Sequence, residues 1–101
     1  MKRMYVLVRK DLAAIYAMVQ GSHALAQYML QFQKQGAEWG NTTIVFLGVR
    51  NEDALSLTTY KLLKKNKHFA EFREPDLKNQ LTAVACYDDG KIFKGYNLIT
   101  L

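Results

Sequence analysis

The sequence predicts an α/β sandwich, in two or three layers, around a mixed sheet of four main strands. Short apolar runs of strand length alternate with longer segments of helical period. The first two runs are separated by a helix, which makes them parallel neighbours, and the last two by a short turn, which makes them antiparallel. At 101 residues the chain has the size of one domain with one core, so residues 1–101 are expected to form a single domain. Half the residues are hydrophobic, Pro75 is the only proline and six glycines are scattered along the chain, which excludes a disordered or low-complexity protein.

MYVLVR, Met4 to Arg9, is rich in β-branched and aromatic residues and reads as a buried first strand. From Ala14 to Lys34 the period changes: Ala14, Met18, Gly21, Leu25, Met29 and Phe32 recur at three- and four-residue steps, one face of a long helix with Asp11 as its N-cap and Gly36 as its stop. TTIVFLGV, Thr42 to Val49, is the second strand. Asn51 then caps a helix whose first turn is acidic and whose apolar face holds Leu55, Leu62 and Leu63. HFAEFRE and LTAVACYDD are two further strands joined by PDLKNQ, which completes the sheet in the order 2-1-4-3. The tail GKIFKGYNLITL offers residues for a short edge strand.

No apolar run reaches the roughly 18 to 20 residues that span a bilayer, and the N-terminus becomes charged too early for a secretory signal, so a cytoplasmic protein without membrane contact is expected. Cys86 is the only cysteine; its setting TAVACY reads as a strand that buries it, with a nucleophilic thiol as the alternative. The net charge of +5 is concentrated in residues 1–50, which carry six Lys or Arg against two acids, and such an excess favours a polyanion such as nucleic acid only weakly. The sequence lacks a glycine-rich phosphate loop, a paired-cysteine metal site and a serine nucleophile elbow, and His23 and His68 alone make no metal site; no cofactor or metal is expected.

In open α/β sheets the working site lies outside the carboxyl ends of parallel strands, here Arg9 to Asp11 and Arg50. Gln20, His23, Gln27 and Gln31 follow at three- and four-residue steps and form a polar row beside the apolar helix face, so His23 is either a solvated surface histidine or a working one. Asp76, after Pro75, is either a turn residue or a carboxylate of the site. Thr82 opens the fourth strand, and Lys10 and Asp11 close the first as phosphate clamp and helix cap. The cluster Lys61, Lys64, Lys65 and Lys67 suits the carbonyl end of a helix and reads as solvated.

Arg9-Lys10-Asp11-Leu12, Gln20-Gly21-Ser22-His23-Ala24, and Trp39 followed by Thr43 to Val49 together resemble the peptidyl-tRNA hydrolase type 2 family, over about residues 4 to 86. That family has an Arg-x-Asp-Leu pattern ending its first strand, Gln-x-Ser-His-Ala on its first helix and a tryptophan before its second strand. Its glycine- and lysine-rich loop, which supplies an active-site lysine, is replaced here by LAAIYAMV, and no lysine occurs between Lys10 and Lys34. The family's Asp-Ala-Gly stretch and later threonine have Asp76 and Thr82 as counterparts.

The resemblance implies hydrolysis of the ester between a peptidyl group and tRNA, with tRNA as partner and a monomer or homodimer as the working form. His23 would activate water with Asp76 orienting it. Arg9 and Lys10 would hold phosphate or polarise the carbonyl within the Arg9–Asp11 substrate-binding segment, and Gln20 and Thr82 would supply orienting hydrogen bonds. The missing lysine keeps two rivals open: a binding module for RNA that cleaves nothing, and a small-ligand or protein-interaction domain.

Overall fold

β1 (Arg3–Arg9) lies at the centre of the sheet because all but its first residue are buried, with alternate side chains feeding two separate cores. In the computed structural model, which describes residues 1–99, it pairs in parallel with β2 (Ile44–Val49) and antiparallel with β4 (Gln80–Asp88). β3 (Ala70–Glu74) pairs antiparallel with β4 on one edge, and β5 (Asn97–Leu98) pairs antiparallel with β2 on the other. The order is β3-β4-β1-β2-β5. The expected 2-1-4-3 arrangement is therefore present, extended beyond β2 by one short edge strand from the tail.

Met4, Val6 and Val8 pack with Ala17, Ala24 and Tyr28 of α1 (Ala14–Gln31) on one face. Tyr5 and Leu7 pack with Leu55 and Leu62 of α3 (Glu52–Lys64) on the other, which makes three layers. A side chain on Gly21 would meet Phe46, Val6 and Val8 at 2.7 to 3.0 Å, so a missing Cβ lets α1 settle directly on the sheet.

The first helix departs from expectation in three ways. Asp11 does not cap it; Ala13 holds that position without a side-chain hydrogen bond, because Asp11 is bound to Arg9. It is not continuous to Lys34: Phe32 leaves helical geometry at φ −125°, and α2 (Gln33–Trp39) follows, with Gly36 inside it and left-handed Gly40 as the stop. Its buried side is Ala17, Gln20, Gly21, Ala24 and Tyr28, so the helix is turned by most of one residue step from the expected face and Gln20 enters the core. On α3 the expected cap holds, with the Asn51 side chain accepting from Ala54 N–H at 3.0 Å, but Leu63 is exposed and Thr58 and Thr59 are buried in its place.

Candidate functional site

Thr82 is the extra residue of a β-bulge: Phe72 faces Ala83 and Arg73 faces Leu81, with nothing opposite Thr82. The bulge re-aims the Thr82 hydroxyl toward α1, where it donates to Gln20 Oε1 at 2.6 Å, with the Phe72 carbonyl a second acceptor at 3.2 Å. Gln20 is fully buried, and a buried amide needs partners for both ends. Its Nε2 donates to Glu74 Oε1 at 2.9 Å, so a hydrogen-bonded chain runs from the core to a carboxylate at the surface.

Glu74 ends β3 and precedes Pro75, which keeps its backbone extended. Its other oxygen accepts from Asp76 N–H at 3.3 Å. The Gln20 amide, the Asp76 N–H and the nearby His23 and Tyr16 hold its carboxyl below the ordinary range, against the opposing effect of burial. Burial, then the charges of Glu74 and Asp76, push the Tyr16 hydroxyl up. His23 is exposed and lies flat on Phe72, ring centroids 4.4 Å apart and planes at 11°. Among the described residues no hydrogen bond fixes either of its nitrogens. The acid that shares this flank with His23 and Gln20 is Glu74. Asp76, expected in that role, is an exposed member of the 3-10 turn Pro75–Leu77 and reaches the group through its backbone N–H.

Arg9 is nearly buried and makes four side-chain hydrogen bonds. Its Nε and Nη2 donate to the two carboxylate oxygens of Asp11 at 3.0 and 2.8 Å, and Nη1 donates to Gln80 Oε1 at 2.9 Å and to the Leu81 carbonyl at 3.2 Å. The hydrogen bond from Arg9 holds the Asp11 carboxyl below its ordinary value, and Asp11 in return raises Arg9. This fork ties the end of β1 to β4 and leaves Arg9 one of its five N–H donors without a partner in the protein, too few for a bidentate phosphate clamp.

Lys10 lies on the β2 side of the sheet. Its stem crosses Gly48, where a Cβ would meet its methylenes at 2.9 Å, and its side chain lines a cavity of about 320 Å³ together with Arg50 and Tyr96. His23 sits over β3 and Lys10 over β2, with β4 and β1 between them, so the two are not in one pocket. Burial pushes the Cys86 thiol up to about 12, the nearby Asp88 charge adding to it, which keeps it protonated and unreactive at neutral pH. Of the helix-end lysines, Lys67 pairs with Asp88 at 2.8 Å and Lys64 lies over the Tyr60 ring.

Glu74 was missed in the sequence, although one signal pointed to it. Strand alternation puts Ala70, Phe72 and Glu74 on the face of β3 that α1 covers, so the carboxylate had to meet that helix.

No family model and no curated protein matches this chain. Among solved structures it is similar to a protein of unknown function from Agrobacterium tumefaciens strain C58, at TM-score 0.72 and 18% identity, over 98% of each chain. The two share a fold from end to end. No helix among the described residues is long and apolar enough to cross a membrane.

Proposed function

We propose that this chain is a peptidyl-tRNA hydrolase-like protein that hydrolyses the ester joining a peptidyl group to tRNA. The observation that supports it is the convergence of Gln20, Glu74 and Thr82, from three separate segments, beside an imidazole whose nitrogens are open. His23 takes a proton from the attacking water. Glu74, kept ionised by its donors, stabilises the imidazolium that forms, and Gln20 and Thr82 are positioning residues that hold Glu74. His23 then returns the proton to the ribose oxygen as the ester bond breaks. Lys10, which among the described residues is in no ion pair, holds the RNA backbone away from the reacting bond.

The test is release of tRNA from an N-blocked aminoacyl-tRNA. Wild type is expected to cleave, and His23→Ala to lose roughly 10² to 10⁴ in turnover, the span of an acid–base group, at unchanged fold by circular dichroism. A wild type that binds tRNA with steep salt dependence and releases nothing would overturn hydrolysis in favour of RNA binding; this second reading draws on Lys10 and Arg50 sharing one cavity.

A further inference from the structure

Among the described residues one buried side-chain nitrogen or oxygen finds no hydrogen-bond partner, the Tyr28 hydroxyl. Tyr28 is fully buried on the sheet side of α1. Burial, then the nearby Cys86, pushes its hydroxyl up to about 12, so at neutral pH it keeps a proton to donate. The Tyr87 backbone opposes that rise, but as a donor it offers the Tyr28 proton no acceptor. Protein interiors seldom leave such a group unpaired, because burial forfeits the hydrogen bond that water supplies to the unfolded chain. Tyr28 also lies in the wall of a cavity of about 300 Å³ at the amino end of β1, where Lys2, Gln35 of α2, the turn before β3 and the end of β4 come together. That volume is at the small end of the range for sites that hold a small molecule.

The acids of this cavity are already engaged by the chain. Asp88 accepts from Lys67 at 2.8 Å and from Gly90 N–H at 3.0 Å, and Asp89 accepts from Lys91 N–H at 2.9 Å. What the cavity offers a ligand is therefore a donor, a cation, amides and flat rings. The Tyr28 hydroxyl is the donor, and Gln35 and Asn66 carry the amides. The Lys2 ammonium is half exposed, 3.9 Å from Glu38 and 5.6 Å from the centre of the Tyr87 ring. The His68 ring stacks one face on Phe32, with centroids 5.0 Å apart and planes at 8°. We propose that this cavity binds a nucleotide, with the Tyr28 hydroxyl donating to a nitrogen or carbonyl of the base, the base against the His68 and Tyr87 rings, and Lys2 on the phosphate at the mouth. Stacking on such rings, with hydrogen bonds to the edge, is how proteins hold an unpaired base. A purely apolar ligand leaves the Tyr28 proton unpaired, and a metal ion competes with Lys67 and two backbone N–H groups for both acids. The site is one strand length, roughly 20 Å, from Glu74 and Thr82: Arg3 faces Asp88 at this end of the sheet, and Arg9 binds Gln80 at the other. The inference does not depend on tRNA hydrolysis.

Titration of the isotope-labelled protein, followed by amide NMR shifts, tests it with adenosine and uridine 5′-monophosphate, inorganic phosphate and a short single-stranded RNA. At least one of the two monophosphates is expected to shift the amides of residues 66–68 and 87–89 saturably. Tyr28→Phe is expected to raise Kd roughly three- to tenfold, the worth of one hydrogen bond. Its urea midpoint is expected to stay level or rise, because the variant deletes only an oxygen that the protein leaves unpaired. His68→Ala, at an exposed position, is expected to raise Kd about fivefold or more through lost stacking. RNA that binds more tightly than the monophosphate through the same amides marks the ligand as a base within a strand; RNA that binds no tighter marks it as a free nucleotide. Absence of saturable shifts, equal shifts from inorganic phosphate alone, a Kd indifferent to Tyr28→Phe, or a Tyr28→Phe midpoint that falls, revealing a bond the hydroxyl already makes, would each overturn the proposal.

Discussion

Arg9 and His23 both belong to motifs that the sequence marks for function, and the structure treats them in opposite ways. Arg9 is almost wholly buried, and its side chain makes four hydrogen bonds to Asp11, Gln80 and the Leu81 carbonyl. His23 is exposed, rests one ring face on Phe72 and has no nitrogen fixed among the described residues. A cation with four of its five N–H donors engaged inside the protein serves chiefly to hold the sheet's end together; an imidazole beside a carboxylate, with no nitrogen fixed among the described residues, has the geometry for proton transfer. The difference separates residues that build the sheet's carboxyl end from those that can act on a ligand.

The largest effect expected from this contrast is on stability at the Arg9 side. Arg9→Leu strips the partners from Asp11, Gln80 and the Leu81 carbonyl, and leaving a buried acceptor unsatisfied costs about 1 to 3 kcal/mol. The loss is read as a lowered urea midpoint at unchanged m-value. Thr82→Val is expected to come close behind, at about 1 to 2 kcal/mol for the orphaned Gln20 oxygen, and to lower turnover by loosening Glu74, whereas Thr82→Ser retains both. His23→Ala, at an exposed position, is expected to shift stability by no more than about 0.5 kcal/mol. A loss at His23 as large as that at Arg9 would erase the contrast.

Acid sharpens it further. The Asp11 and Glu74 carboxyls both titrate below their unfolded values, so the unfolded chain binds more protons as pH falls. Their contribution is complete above the ordinary carboxylate range and is lost as pH drops through their lowered folded values. The thermal midpoint is expected to fall on acidification below about pH 5, and Asp11→Asn to make that fall shallower. A midpoint that rises on acidification would contradict the hydrogen-bonding described for both groups.

Element order and strand pairing were legible because they depend on apolar periodicity and connection length, which are local. β1 reads as buried from MYVLVR alone, and Asn51 announces its helix. The rotation of α1 was not legible. Leu25 and Met29 look like better core residues than Gln20, and only the Thr82 bulge and Glu74, distant in sequence, make burial of a glutamine favourable. The same non-local bonding sets Glu74, and not the Asp76 side chain, against the Gln20 amide, and ties Arg9 to Asp11, Gln80 and the Leu81 carbonyl. His23 was placed on a polar flank from spacing, and there it stands.

In the proposed hydrolysis His23 and Glu74 act as one unit. A double-mutant cycle on kcat/KM for tRNA release, using His23→Ala, Glu74→Gln and the double variant, tests it most directly. The double variant is expected to be no slower than His23→Ala alone, since in the proposed mechanism Glu74 works only through the imidazole. Losses that multiply, with Glu74→Gln slowing an enzyme already lacking His23 by the same factor as wild type, would contradict it.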